Sequence, residues 1–118
     1  MDERLTPLER IRRKRDFEAL YRSGRRYRGR YFHLVYQANA LEFPRIGVVV
    51  SRKVGNAVER NRIKRRVRTL FRRNKALFRK PTDVILIARP DLAGLSWTEL
   101  AGLYRSAVEG IFRERAGG

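Results

Sequence analysis

Between Glu59 and Asp83 the chain carries no acidic residue, while lysine and arginine crowd the interval and Ile63, Val67, Leu70, Phe71, Leu77 and Phe78 recur at helical spacing. The spacing predicts a long helix from Ala57 to about Lys80. At 100° per residue its apolar positions share one side, Arg60, Lys64 and Arg68 line one flank, and Arg62, Arg66 and Arg73 line the other. A solvated helix face normally interleaves Glu with Lys or Arg for i,i+4 support, and that support is missing. The like-charge repulsion calls for a polyanionic partner. Arginine dominates, and its planar fork suits bidentate phosphate contacts and stacking on bases. Asn61 stands between Arg60 and Arg62; it reads equally as a surface polar residue or as one that fixes a neighbour or hydrogen-bonds RNA.

The rest of the composition points the same way. The 118 residues hold 29 Lys+Arg against 12 Asp+Glu, a formal net charge of +17. With 42% hydrophobic and 10% aromatic residues the chain is too apolar for a disordered basic tail, and its length predicts one domain over 1–118. A domain of this size buries roughly two-thirds of its unfolded surface, so neither metal nor disulfide is needed to hold it. Cysteine is absent, which removes thiolate nucleophiles and Cys-ligated zinc. No apolar run reaches a membrane span and the N-terminus lacks the order of a signal peptide, so a cytoplasmic protein without a membrane partner is expected. The acids are scattered singly, with no two-metal, nucleophile-elbow or Walker pattern, so no catalytic residue and no metal ligand is assigned. The single histidine, His33, has no carboxylate beside it in sequence and reads as a strand residue without chemistry.

Other elements follow from periodicity. Arg15 to Gly24 places Phe17, Leu20 and Tyr21 on one face of a short helix, with Gly24 as its stop. Tyr31–Gln37 reads as a strand with Phe32, Leu34 and Tyr36 on one face and Tyr31, His33 and Val35 on the other. Arg45–Ser51 and Asp83–Ala88 are near-continuous apolar runs of interior strands. An extra short strand fits residues 25–30. Ser96 and Glu99 match a capping box, opening a last helix through Leu100, Leu103, Tyr104, Ala107, Ile111 and Phe112. Residues 1–14 are expected to form a flexible basic segment and 116–118 a frayed tail. The order helix, strand, strand, helix, strand, helix predicts a two-layer α/β (α+β) sandwich. Phe17 and Tyr21 are core residues on one reading. On the other they join strand aromatics as a stacking platform for single-stranded nucleic acid in a positive groove.

These residues carry a resemblance. Arg60-Asn61-Arg62-Ile63-Lys64-Arg65 followed by Arg68 and Phe71, preceded by Gly47 to Val58, is similar to the signature of the bacterial ribonuclease P protein component. Arg15-Asp16-Phe17 with Tyr21 and Gly24, and Asp83 to Arg89, extend it collinearly along essentially the whole chain. The resemblance implies the fold of the second domain of ribosomal protein S5, with a left-handed βαβ crossover, against the usual right-handed preference. It implies that Arg60, Asn61, Lys64, Arg65 and Arg68, with Arg62, contact the catalytic RNA, one protein to one RNA. It implies that Phe17, Tyr21, Phe32 and Val35 floor a cleft for the 5′ leader of precursor tRNA, with Ser51, Arg52, Lys53 and Arg89 beside it. Tyr21 stands where Phe is frequent, and Val35 where an aromatic can occur. The RNA subunit would hold Mg²⁺ and hydrolyse the phosphodiester, the protein being auxiliary. Two rivals remain: a noncatalytic ribosomal or RNA-chaperone protein, and a DNA-reading helix, for which no helix-turn-helix precedes the basic segment.

Overall fold

The computed structural model describes residues 7–117, with side-chain surroundings for 8–113. A 3-10 turn at Pro7–Glu9 leads into α1 (Lys14–Ser23). Then come β1 (Arg25–Arg28), β2 (Phe32–Ala38), β3 (Arg45–Val49), α2 (Ala57–Arg73), β4 (Thr82–Ala88) and α3 (Trp97–Gly117). The strands form one sheet in the order β1-β2-β4-β3. The β1–β2 and β2–β4 pairs are antiparallel and β3 runs parallel to β4, so α2 is the crossover of a βαβ unit.

Strand alternation sorts the side chains into two unequal cores. On one face Phe32, Leu34 and Tyr36 of β2, Ile46 of β3 and Val84 and Leu86 of β4 meet Ile63, Val67, Leu70 and Phe71 of α2 and the Leu100 to Phe112 stripe of α3. On the other, Val35 and Ile85 meet Ile11 and Leu20, with Phe17, Tyr21, Val49 and Ile87 partly buried around them. The sheet with α2 and α3 is the expected two-layer sandwich. The short α1 adds a partial third layer on the opposite face, which accounts for apolar side chains on both sides of β3 and β4.

Several expected boundaries shift. The long helix ends at Arg73 rather than near Lys80: Asn74 donates from Nδ2 to the Leu70 carbonyl at 2.8 Å, and its N–H bonds the Phe71 carbonyl. Asn competes well for backbone groups, which ends the helix. A 3-10 turn at Lys75–Leu77 then carries Phe78 edge-on to Phe71 (5.5 Å between centroids) and to Phe112 (5.7 Å). The apolar periodicity ran past Asn74 because Phe78 still packs on the same core. Within the segment expected to be flexible, residues 9–11 are docked. The Ile11 N–H bonds the Ile46 carbonyl at 2.9 Å, Ile11 is buried, and Lys75 Nζ lies 2.6 Å from Glu9 Oε2. Residues 1–6 lie outside the described residues. Of the tail expected to fray, Ala116 and Gly117 are helical and Gly118 is not described.

Candidate nucleic-acid interface

Register builds the site row by row. On the α1 face, Gly47 of β3, Ile85 of β4, Val35 of β2 and Arg26 of β1 lie side by side; the next row is Val49, Ile87, His33 and Arg28. α1 covers the first row and leaves the second open. The ring of Phe17 rests directly on Gly47, where a Cβ would come within 2.9 Å of Phe17 Cζ, so only glycine admits this approach. Arg45 locks α1 in place: it forks onto Asp83 (Nε to Oδ1 2.9 Å, Nη2 to Oδ2 2.6 Å) and reaches Asp16 of α1 at 3.8 Å. At the other end Arg26 Nη2 donates to the Tyr21 carbonyl at 2.6 Å, satisfying one of the orphan acceptors at the helix C-terminus.

The result is a groove of about 160 Å³ lined by Arg26, Arg28, His33, Val35 and Ile87. Phe17 and Tyr21 pack against the same apolar cluster as Val35 and Ile87. Burial pushes the Tyr21 hydroxyl above its ordinary range, an effect the neighbouring Arg26 partly opposes. Arg89, following β4, donates from Nη1 to His33 Nε2 at 3.1 Å. Since an arginine has no acceptor to offer, Nε2 carries the lone pair and Nδ1 the proton. Burial, then the Arg89 and Arg28 charges, hold His33 below its usual pKa, so it is neutral at pH 7. Ser51, Arg52 and Lys53 form an exposed turn closed by the Val54 N–H to Ser51 carbonyl bond, directly after β3 and at the same end of the sheet as Arg89.

Of the eight residues named for the leader cleft, the structure brings Phe17, Tyr21 and Val35 together over the middle of the sheet, while Ser51, Arg52, Lys53 and Arg89 follow the C-terminal ends of β3 and β4, beyond the open row. Phe32 is a correction. It is buried with Leu34 and Tyr36 in the core beneath α2 and α3, on the other side of the sheet, because residues three apart on a strand point to opposite faces. His33 is the converse: it faces the groove and holds Arg89. Arg26 and Arg28 also belong to the groove, and strand alternation opposite Val35 and His33 is the signal that finds them.

The second cationic surface is α2. Its N-terminus is fixed by a complete capping box: Asn56 accepts from the Glu59 N–H at 2.9 Å and the Glu59 carboxylate accepts from the Asn56 N–H at 3.1 Å. Asn61, Arg62 and Arg65 are exposed, while Arg60, Lys64 and Arg68 are half-buried. Arg60 donates to the Gly55 carbonyl at 3.1 Å, which orients its guanidinium along the helix start. Arg68 is held below its ordinary pKa by burial, then by the charges of Arg10 and Arg12. The docked N-terminal segment therefore adds two arginines to the Arg60, Lys64, Arg68 flank, a contribution sequence periodicity cannot show. Arg62 and Arg66, on the other flank, line a small depression with Leu92, Ala93 and Leu95.

Fold and surfaces define a class: a small, strongly basic α+β protein with a cationic helix flank and a separate half-covered groove, apolar in its floor and cationic at its rim, at one end of its sheet. The Ribonuclease P family model matches residues 5–111. The chain is 40% identical over 92 residues to the ribonuclease P protein component of Syntrophus aciditrophicus, covering 78% of this chain and 77% of that one. It is 41% identical over 93 residues to the Thermotoga maritima component, covering 79% and 80%. Among solved structures, the Staphylococcus aureus RNase P protein superposes with a TM-score of 0.80 at 30% identity, over 86% of this chain and 93% of that one. The Thermotoga maritima protein, in complex with 1-(4-fluorophenyl)-2-thiourea, gives 0.79 at 32%, over 84% and 96%. The chain belongs to the ribonuclease P protein family.

Proposed function

We propose that this chain is the protein subunit of a ribonuclease P ribonucleoprotein, which removes 5′ leaders from precursor tRNA, and that it pairs one to one with the catalytic RNA. Two separate surfaces support a division of labour. The α2 flank of Arg60, Lys64 and Arg68, joined by Arg10 and Arg12 and with Asn61, Arg62 and Arg65 exposed beside it, grips phosphates of the catalytic RNA. The groove between α1 and the sheet holds the single-stranded leader, with Phe17 and Tyr21 offering rings to bases and Arg28, Arg52, Lys53 and Arg89 contacting phosphates. The observation that carries this reading is the uncovered row Val49, Ile87, His33, Arg28: an apolar floor rimmed by cations, left open by a helix too short to cover it.

No group of three or more acidic or histidine side chains that could hold a metal occurs among the described residues, and Mg²⁺ takes oxygen ligands, carboxylates among them. The reading places the required Mg²⁺ on the RNA, as the family resemblance implies. The protein contributes by neutralising RNA phosphates, which tightens substrate binding and lowers the Mg²⁺ the assembly needs. No helix in the described residues is long and apolar enough to cross a membrane, and the proposed site of action is the cytoplasm.

The test is a titration of the RNA–protein complex with precursor tRNA and with the same tRNA lacking its leader. Tighter binding of the leader-bearing form, lost in a Phe17→Leu variant, supports the groove assignment. Equal affinities favour the rival, a ribosomal or chaperone protein that coats structured RNA.

A further inference from the structure

The β1–β2 hairpin carries a second pocket on the side of the sheet away from the groove. Tyr27, Gly29, Arg30, Tyr31, Phe32 and Leu103 line about 120 Å³, with almost entirely apolar walls. Tyr27 and Phe32 stand with ring centroids 6.3 Å apart, and the Arg30 guanidinium lies 5.1 Å over the Tyr31 ring. Leu103 of α3, 37% exposed, closes the far wall. Gly29 keeps the pocket open, since a Cβ there would meet the Phe32 carbonyl at 2.8 Å and Tyr27 Cε1 at 3.1 Å.

Its position matters as much as its walls. β1 is an edge strand, so nothing pairs beyond it, and its two faces alternate: Arg26 and Arg28 toward the groove, Tyr27 toward the pocket. The Arg89 N–H bonds the Tyr31 carbonyl at 2.9 Å, tying the pocket's rim to the residue at the groove's end. No acidic residue occurs between Glu18 and Glu42. Asp91 lies 3.5 Å from Arg30 in an ion pair exposed on both sides, which is weak and easily exchanged for a phosphate.

We infer that this pocket takes one unstacked base of single-stranded RNA: the leader, on leaving the groove past Arg28, turns around the β1 edge and inserts an upstream base between Tyr31, Tyr27 and Leu103. Flat rings and a guanidinium plane beside a row of arginines are the combination by which single strands are held without sequence readout. A second copy of this chain is a poor occupant, because its charge of +17 would meet the same sign. The inference rests on the leader reading of the groove and extends it to a second base site.

The experiment uses the complex with the catalytic RNA and a series of precursor tRNAs: no leader, a short leader confined to the groove, and leaders lengthened one nucleotide at a time. Affinity is expected to rise a second time, by about fivefold, when a base reaches the pocket, the low end of what one base stack contributes. Tyr31→Leu, which keeps apolar packing, and Leu103→Glu, from the opposite wall, should each abolish that second rise, and Tyr31→Phe should keep it. All three should preserve the first rise from no leader to short leader. A second rise that survives in Tyr31→Leu and Leu103→Glu, or no second rise in the wild type, overturns the inference. So does a loss of affinity for leaderless substrate, which would give the pocket to another RNA segment. Absence of the first rise in the wild type would instead sink the groove reading itself.

Discussion

The two faces of the sheet differ in how completely they are covered. Beneath α2 and α3, large side chains interlock: Phe71, Leu70, Tyr104 and Ile111 are at most 1% exposed. On the α1 side a ten-residue helix covers one row of the sheet and leaves His33 and Ile87 half-buried beside arginines. A closed face yields stability, and an open one leaves apolar floor and cationic rim available to a partner. Substitutions on the two faces should therefore separate into stability effects and binding effects.

The largest effect is expected on the closed face. Phe71→Ala removes a fully buried ring that touches Phe78, and should cost about 3–5 kcal/mol, read as a drop in the denaturant midpoint. A small change there would mean that the closed face is not the stabilising one.

Next comes the cationic flank of α2. Replacing Arg60 and Arg68 together by Ala should weaken binding to the catalytic RNA roughly tenfold per side chain, near the low end for charge-assisted hydrogen bonds. The salt dependence should flatten by about 0.7–0.9 per lost phosphate contact. Thermal unfolding should stay cooperative; loss of cooperativity would show these arginines to be structural, Arg60 through its bond to Gly55.

A buried polar group offers a third contrast. The Tyr104 hydroxyl is enclosed by the closed core without a hydrogen-bond partner among the described residues, and burial pushes its pKa well above the usual value. Tyr104→Phe should therefore stabilise the protein by about 1 kcal/mol with leader affinity unchanged. Destabilisation on chemical denaturation would contradict this.

The smallest effect belongs to His33 on the open face. Its folded pKa lies below the unfolded value of about 6.5, so the unfolded chain takes up the proton first as pH falls. Stability from this group is complete above pH 6.5 and is lost as pH drops through that value toward the folded pKa. Wild type minus His33→Gln unfolding profiles should show this decline, carboxylate effects cancelling. A flat difference would mean that burial and the Arg89 and Arg28 charges do not hold the His33 pKa down in solution.

Much of this division was legible in the sequence. Alternation in β2 sorted Leu34 and Tyr36 from His33 and Val35, and the Ser96 and Glu99 capping box opens α3 as read. The same alternation contradicts grouping Phe32 with Val35. There the resemblance's preference for aromatics outweighed the two-residue period, and the structure restores the period. The docking of Ile11 against Ile46 and the delivery of Arg10 and Arg12 to Arg68 depend on contacts distant in sequence, which periodicity does not carry. The pairing of His33 with Arg89 is likewise invisible to periodicity, because the two residues lie far apart along the chain.

The most direct measurement is multiple-turnover cleavage of precursor tRNA by a bacterial ribonuclease P RNA at low Mg²⁺, with and without this protein. Stimulation with correct 5′ ends is the predicted result. Tight binding to that RNA without any stimulation would contradict the account.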